Sequence, residues 1–263
     1  MERRREPLPT RVMDTPPLPT AYDAALRDGL SAIPVTVSPD ARAAIDGHVR
    51  LLLAWTESIN LTGIREPAAV ALGHVVDSLT GRALIADATP QRVLDLGSGG
   101  GFPGIPLAAS LRDDRPDLEV TLLEPIAKKA RFLETAVAAT SLGRTVRVVA
   151  GRAEDLAGDP FSRSSWDIVT ARAVAATADL VELAFPLLKP GGSLIAWKRG
   201  DIADELAGAG RAIEALGGGS LGITEVTVAG LAEHRLVTIT RATTGSVPEA
   251  YPRDPAVRKR RPW

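Results

Sequence analysis

The chain has no cysteine among its 263 residues, which excludes disulfides, thiolate metal ligands and cysteine nucleophiles. Histidine is almost as scarce: His48, His74 and His234 are too scattered in sequence for metal-ligand spacing, and no metal site is expected. Aromatic residues make up only 4%, so stacking platforms are few. No apolar stretch of membrane-span length stands out, and the arginine-rich N-terminus lacks the apolar core of a signal peptide. A soluble, cytoplasmic protein with no membrane partner is expected. A net charge of −1 points to no partner by itself. What the chain does have, 45% hydrophobic and 24% charged residues, is the composition of an ordinary globular domain.

The small net charge hides an uneven distribution. The first 20 residues are rich in proline and arginine, and the last 13, YPRDPAVRKRRPW, hold the cluster Arg258, Lys259, Arg260 and Arg261. Both ends read as flexible arms: residues 1–37 as a disordered extension, and residues 243–263 as a basic tail that is either solvated or in contact with nucleic-acid phosphates. Removing the tail from residue 257 onward is expected to leave cofactor binding intact.

Between the arms, residues 38–88 read as helical. Ser38 is an N-cap with Pro39 at the first helical position, and Ala41, Ala44, Ile45, Val49, Leu52 and Leu53 follow at helical spacing. A second helix is expected over roughly 67–86. After the break at Ala88, Thr89 and Pro90, residues 89–242 alternate. Strands are expected near 92–96, 119–124, 145–150, 166–171, 192–198, 222–228 and 234–241, with helices near 103–111, 127–141, 177–188 and 201–216. That order predicts a parallel α/β sheet, closed by an antiparallel hairpin at or near one edge because the last link is short.

The informative segment is RVLDLGSGGGFPG, residues 92–104. A strand that breaks into closely spaced glycines lets a ligand approach the backbone, and Pro103 suits the first turn of a following helix. From Gly99 the segment reads G-x-G-x-x-G, a dinucleotide fingerprint; from Asp95 it reads D-x-G-x-G-x-G, which resembles motif I of the class I S-adenosylmethionine (SAM) methyltransferases. Asp95, Gly97, Gly99 and Gly101 are the candidate cofactor residues here. Glu124, ending the second strand, is placed to accept from ribose hydroxyls with either cofactor. After the third strand, Glu154 and Asp155 either meet the adenine end or cap the next helix. Arg172 and Lys198 emerge from apolar strands at the same rim, where cations suit an anionic substrate such as RNA.

NLTGIREP (60–67), HVVDSL (74–79), DLGSGGGFPGIPLA (95–108), LLEPIAKKARFLE (122–134), GRAEDL (151–156), DIVTARAVA (167–175), LIAWKRG (194–200) and EHRLVTI (233–239) together resemble the RsmG family, also called glucose-inhibited division protein B. The resemblance implies a class I methyltransferase sheet of seven strands, SAM as cofactor, and methylation of a guanine N7 in bacterial small-subunit ribosomal RNA or its assembly intermediate, by a monomer. It also implies cofactor roles for Gly97, Phe102, Ala153, Glu154 and Arg172. Arg172 and Lys198 are the candidate catalytic residues. Arg199 departs from the family's A-L-K-G pattern and leaves the local register open. The N7 lone pair carries no proton, so this chemistry needs no general base, and the chain shows neither an N-P-P-Y tetrapeptide nor a cysteine nucleophile.

Overall fold

In the computed structural model, which describes residues 7–263, seven strands form one sheet in the order β3-β2-β1-β4-β5-β7-β6. They are β1 (Arg92–Leu96), β2 (Glu119–Glu124), β3 (Val146–Ala150), β4 (Trp166–Arg172), β5 (Leu188–Arg199), β6 (Gly219–Glu225) and β7 (His234–Arg241). All neighbours are parallel except β7, which runs antiparallel to β5 and β6. This is the expected class I methyltransferase arrangement. Strand order reverses between β1 and β4, and in open α/β sheets ligands bind at such a switch point, beyond the strands' carboxyl ends.

The pleat assigns alternate residues to two cores. Leu94 and Leu96 of β1, with Leu194 and Ala196 of β5, pack against the helices Thr177–Ala184 and Ala203–Ala215. Val93, Ile195 and Trp197 face the opposite layer, built from the helices Gly104–Leu111 and Ala127–Ala139 together with the N-terminal helices. Ser38 caps the helix Pro39–Thr56 through Ala41 N–H at 3.1 Å, as the sequence predicts. The helical run Pro67–Asp87 contains a π-helical turn, Ala71–Val76. Contrary to expectation, this 21-residue run is long and apolar enough to cross a membrane; half of its window is buried inside the fold.

Several expectations need correction; β5 starts at Leu188, four residues before the expected 192, and the helix from Thr177 ends at Ala184 rather than 188. Residues 7–37 are not a disordered arm, and residues 1–6 of that expectation lie outside the described residues. The helix Thr20–Ser31 buries Tyr22 and Leu26 in the same core as the sheet, and the Tyr22 hydroxyl donates to Asp46 at 3.0 Å. Its Tyr22-Leu26 spacing was a helical signal masked by the flanking prolines. The basic tail is not free either, since residues 255–260 are helical and Arg258 is ion-paired to Glu154 in the helix Ala153–Gly158. Finally, β6 starts three residues before the expected 222. Every residue of this edge strand is exposed, so no buried face marks its limits; Gly217 and Gly218, at φ +103° and +84°, set its start instead.

Candidate active site

Two cavities lie side by side at the carboxyl ends of the strands. The first, about 220 Å³, has walls of Leu96, Gly97, Leu123, Pro125, Ala153, Glu154, Val174 and Arg258. The second, about 380 Å³, is lined by His74, Asp77, Arg172, Trp197, Lys198, Arg199 and His234. Ala175, just past β4, lines both. Between them Ala173 takes φ +55°, a backbone conformation that side chains disfavour and that concentrates at functional sites.

Turn geometry explains the glycines. Gly97 has φ +70°, and a Cβ there would lie 2.8 Å from a Val174 methyl, so glycine keeps the first cavity open against β4. At Gly99, with φ +56°, a Cβ would meet only the Gly97 carbonyl at 3.8 Å, an ordinary contact, so the backbone angle rather than space requires glycine. Gly101 serves packing rather than a ligand, because a Cβ there would meet His48 at 2.8 Å and Ile105 at 2.7 Å.

Both carboxylates assigned to the cofactor turn inward. Asp95 is fully buried beneath the turn, accepting from Gly104 N–H at 3.2 Å and the Thr170 hydroxyl at 2.8 Å; burial pushes its pKa up. It anchors the helix start to β4 and lines neither cavity. Glu124, 3% exposed, accepts from Gly99 N–H at 2.8 Å and Ile126 N–H at 2.9 Å, so it braces the glycine turn with one lone pair of each oxygen. The sequence places them correctly at strand ends but cannot show which backbone groups they satisfy. After β3 the alternatives resolve: Asp155 takes the capping role through Arg152 N–H at 3.4 Å, and Glu154 faces the first cavity.

Arg172 is paired rather than free in the cleft. It donates to Asp77 at 2.9 Å, to the Gly73 carbonyl in the π turn at 3.1 Å and to His74 Nδ1 at 2.9 Å, and it stands over the Phe102 ring at 5.3 Å. Phe102, also stacked on His74, thus lies under this cluster and lines neither cavity. His74 Nε2 donates to the Thr62 hydroxyl at 2.6 Å, since Nδ1 must accept from an arginine that can only donate. Burial, and then the Arg172 charge, hold the His74 pKa down to about 3, so the ring is neutral. The other Asp77 oxygen pairs with His234 Nδ1 at 2.9 Å, and the Asp77 carbonyl accepts from Trp197 Nε1 at 2.7 Å.

Lys198, expected to grip substrate, is held by Glu205 at 2.6 Å and the Ala175 carbonyl at 2.9 Å. β5 pairs regularly with β7 through Lys198 and Arg199, so Trp197 and Arg199 share one face and Lys198 takes the other. Arg199 is exposed and in no ion pair among the described residues. Sequence reasoning missed His234, Trp197, Glu205 and Arg258, of which His234 and Arg258 reach the site from distant positions; the π turn around His74 has no simple sequence signal.

Comparison with known proteins agrees with this geometry. A family described as rRNA small subunit methyltransferase G matches residues 42–234. A relative of that name from Roseiflexus castenholzii is 43% identical over 80% of this chain and 87% of its own. Another of that name, from Symbiobacterium thermophilum, is 35% identical over 92% of this chain and 98% of its own. Among solved structures, the O-methyltransferase TomG of Streptomyces achromogenes, involved in tomaymycin synthesis and solved with SAM, superposes with a TM-score of 0.53 at 15% identity, covering 81% of this chain and 94% of that one. It shares the fold.

Proposed function

Because the chain belongs to the rRNA small subunit methyltransferase G family, we propose that it transfers a methyl group from SAM to N7 of a guanine in bacterial small-subunit ribosomal RNA. The observation that carries this reading is the pair of cavities meeting at Ala175, one mostly apolar with Arg152 and the Glu154–Arg258 pair at its polar side and one rimmed by cations. The first fits the adenosyl end of SAM: Leu96, Leu123 and Val174 suit the faces of a purine, Glu154 its amino edge, and the missing Cβ of Gly97 a close approach. Gly97, Ala153 and Glu154 would hold it. When bound, SAM supplies an electrophilic methyl on a sulfonium.

The second cavity is assigned to the target guanine. Three of the five N–H groups of Arg172 are engaged by Gly73, Asp77 and His74, leaving two for an acceptor such as guanine O6. Methylation leaves a positive charge on the purine. The pairing of Arg172 with Asp77 and of Lys198 with Glu205, and the neutral state of His74, keep the wall from repelling that charge. Positioning two reactants in adjacent cavities is then the main source of rate, worth up to roughly 7 to 11 kcal/mol. Exposed Arg199 is assigned to an RNA phosphate. Lys198, held by Glu205, is assigned to support of the segment after β4 through the Ala175 carbonyl.

The enzyme is proposed to act in the bacterial cytoplasm as a monomer. Incubating it with methyl-labelled SAM and either naked small-subunit RNA or assembled subunits, followed by mass mapping of the RNA, tests the reading. A single N7-methylguanosine in one of these substrates is expected; absence of that product from both would overturn it.

A further inference from the structure

We propose that the C-terminal segment completes the cofactor site, with Arg258 a positioning residue that holds Glu154 at the adenine end of the first cavity. The proposal rests on the reading of that cavity as the adenosyl site.

Arg258 lines the cavity although it lies 104 residues beyond Glu154. Its Nη2 donates to Glu154 Oε1 at 2.5 Å, with the two side chains only 13% and 17% exposed, and its Nη1 donates to the Arg253 carbonyl at 3.0 Å. One guanidinium therefore ties the cavity wall to the tail. Only Glu154 Oε1 is engaged among the described residues, which leaves Oε2 for an N–H donor such as the amino group of adenine.

The tail's seating is built into the core. Glu182, in the helix Thr177–Ala184, is fully buried and accepts from Arg253 N–H at 2.7 Å, from its guanidinium and from Trp263 Nε1 at 2.7 Å. Without the tail this carboxylate would lose its counter-charge, an arrangement that is costly to bury. Tyr251 stacks on Trp263 at 6.0 Å, and Arg163 donates to the Tyr251 and Pro248 carbonyls at 3.0 and 3.1 Å. These clamps deliver Arg258 to the cavity, so the proposal predicts that residues from 257 onward contribute to cofactor binding.

Calorimetric titration of the full-length protein with SAM and with 5′-methylthioadenosine, which lacks the amino-acid end, tests this. Arg258→Ala should weaken both ligands by the same factor, about tenfold for one charged hydrogen bond. Glu154→Gln should do likewise, and the double variant should lose little more than either single one, because both act through one contact. Because Arg258→Ala leaves Glu154 unpaired, it is titrated at a temperature where ligand-free melting shows the variant folded, and Arg258→Lys should recover part of the affinity. Wild-type affinity in Arg258→Ala, a loss confined to SAM, or fully additive losses would each overturn the proposal. A wild-type protein that binds neither ligand would instead overturn the adenosyl assignment, and the proposal with it.

Discussion

At the scale of single residues, the site is governed by which charges are already satisfied. Arg172 reads in the sequence as a cation aimed at a ligand, yet it is 14% exposed and paired with an Asp77 side chain that is 3% exposed. Arg172→Ala should therefore cost stability as well as turnover, about 3 to 5 kcal/mol from the buried charge left on Asp77. Denaturant unfolding together with turnover per folded molecule checks this; unchanged stability would mean that the pair contributes nothing. His48 offers a second test. Its Nε2 donates to the Gly100 carbonyl at 2.7 Å, its Nδ1 has no partner among the described residues, and burial holds its pKa down to about 4. An unfolded histidine protonates near 6.5. Between those values the unfolded state binds more protons, so stability falls as pH falls, by about 2 kcal/mol at pH 5 from this group. His48→Gln should lose that increment of the pH dependence between pH 7 and pH 5; an unaltered difference would show that His48 does not titrate in this way.

At the scale of elements, the C-terminal helix Pro255–Arg260 changes how the basic cluster can meet RNA. Arg258 is committed to Glu154, which leaves exposed Lys259, Arg260 and Arg261 for phosphates. Replacing these three by alanine should reduce the slope of log K against log salt for single-stranded RNA by up to about 2, at roughly 0.7 per phosphate neutralised. Binding titrations at several salt concentrations decide it, and parallel slopes would show that this face is only solvated. The π turn Ala71–Val76 has a comparable local consequence, since its Gly73 carbonyl and His74 ring orient the Arg172 guanidinium.

At the scale of the whole molecule, the N-terminal residues belong to the folded unit. Tyr22 and Leu26 share a core with Val93 and Val120 of the sheet, and Trp55 Nε1 donates to the Pro9 carbonyl at 2.7 Å. Deleting residues 1–37 should lower the unfolding free energy by at least about 3 kcal/mol, given losses of about 2 to 5 kcal/mol for each large buried side chain. Thermal unfolding of the truncated chain checks this, and a melting temperature within a degree of the full-length value would contradict it.

The sequence by itself determined the elements whose signals are local: the limits of β1, β2 and β7, the capped helix after Ser38, and the glycine turn with its acidic neighbours. Pleat and helical periodicity, capping and turn chemistry act over a few residues, and the family's motifs lie in those same stretches. Which partner satisfies each polar group was decided only by the tertiary structure. Asp95 and Glu124 turn to backbone N–H groups, Lys198 turns to Glu205, and Arg172 is shared among Gly73, His74 and Asp77. Arg258 reaches a cavity through Glu154, which lies 104 positions earlier. Burial penalises every unpaired charge, so these contacts are set by whichever groups folding brings within reach, and sequence separation carries no record of that distance.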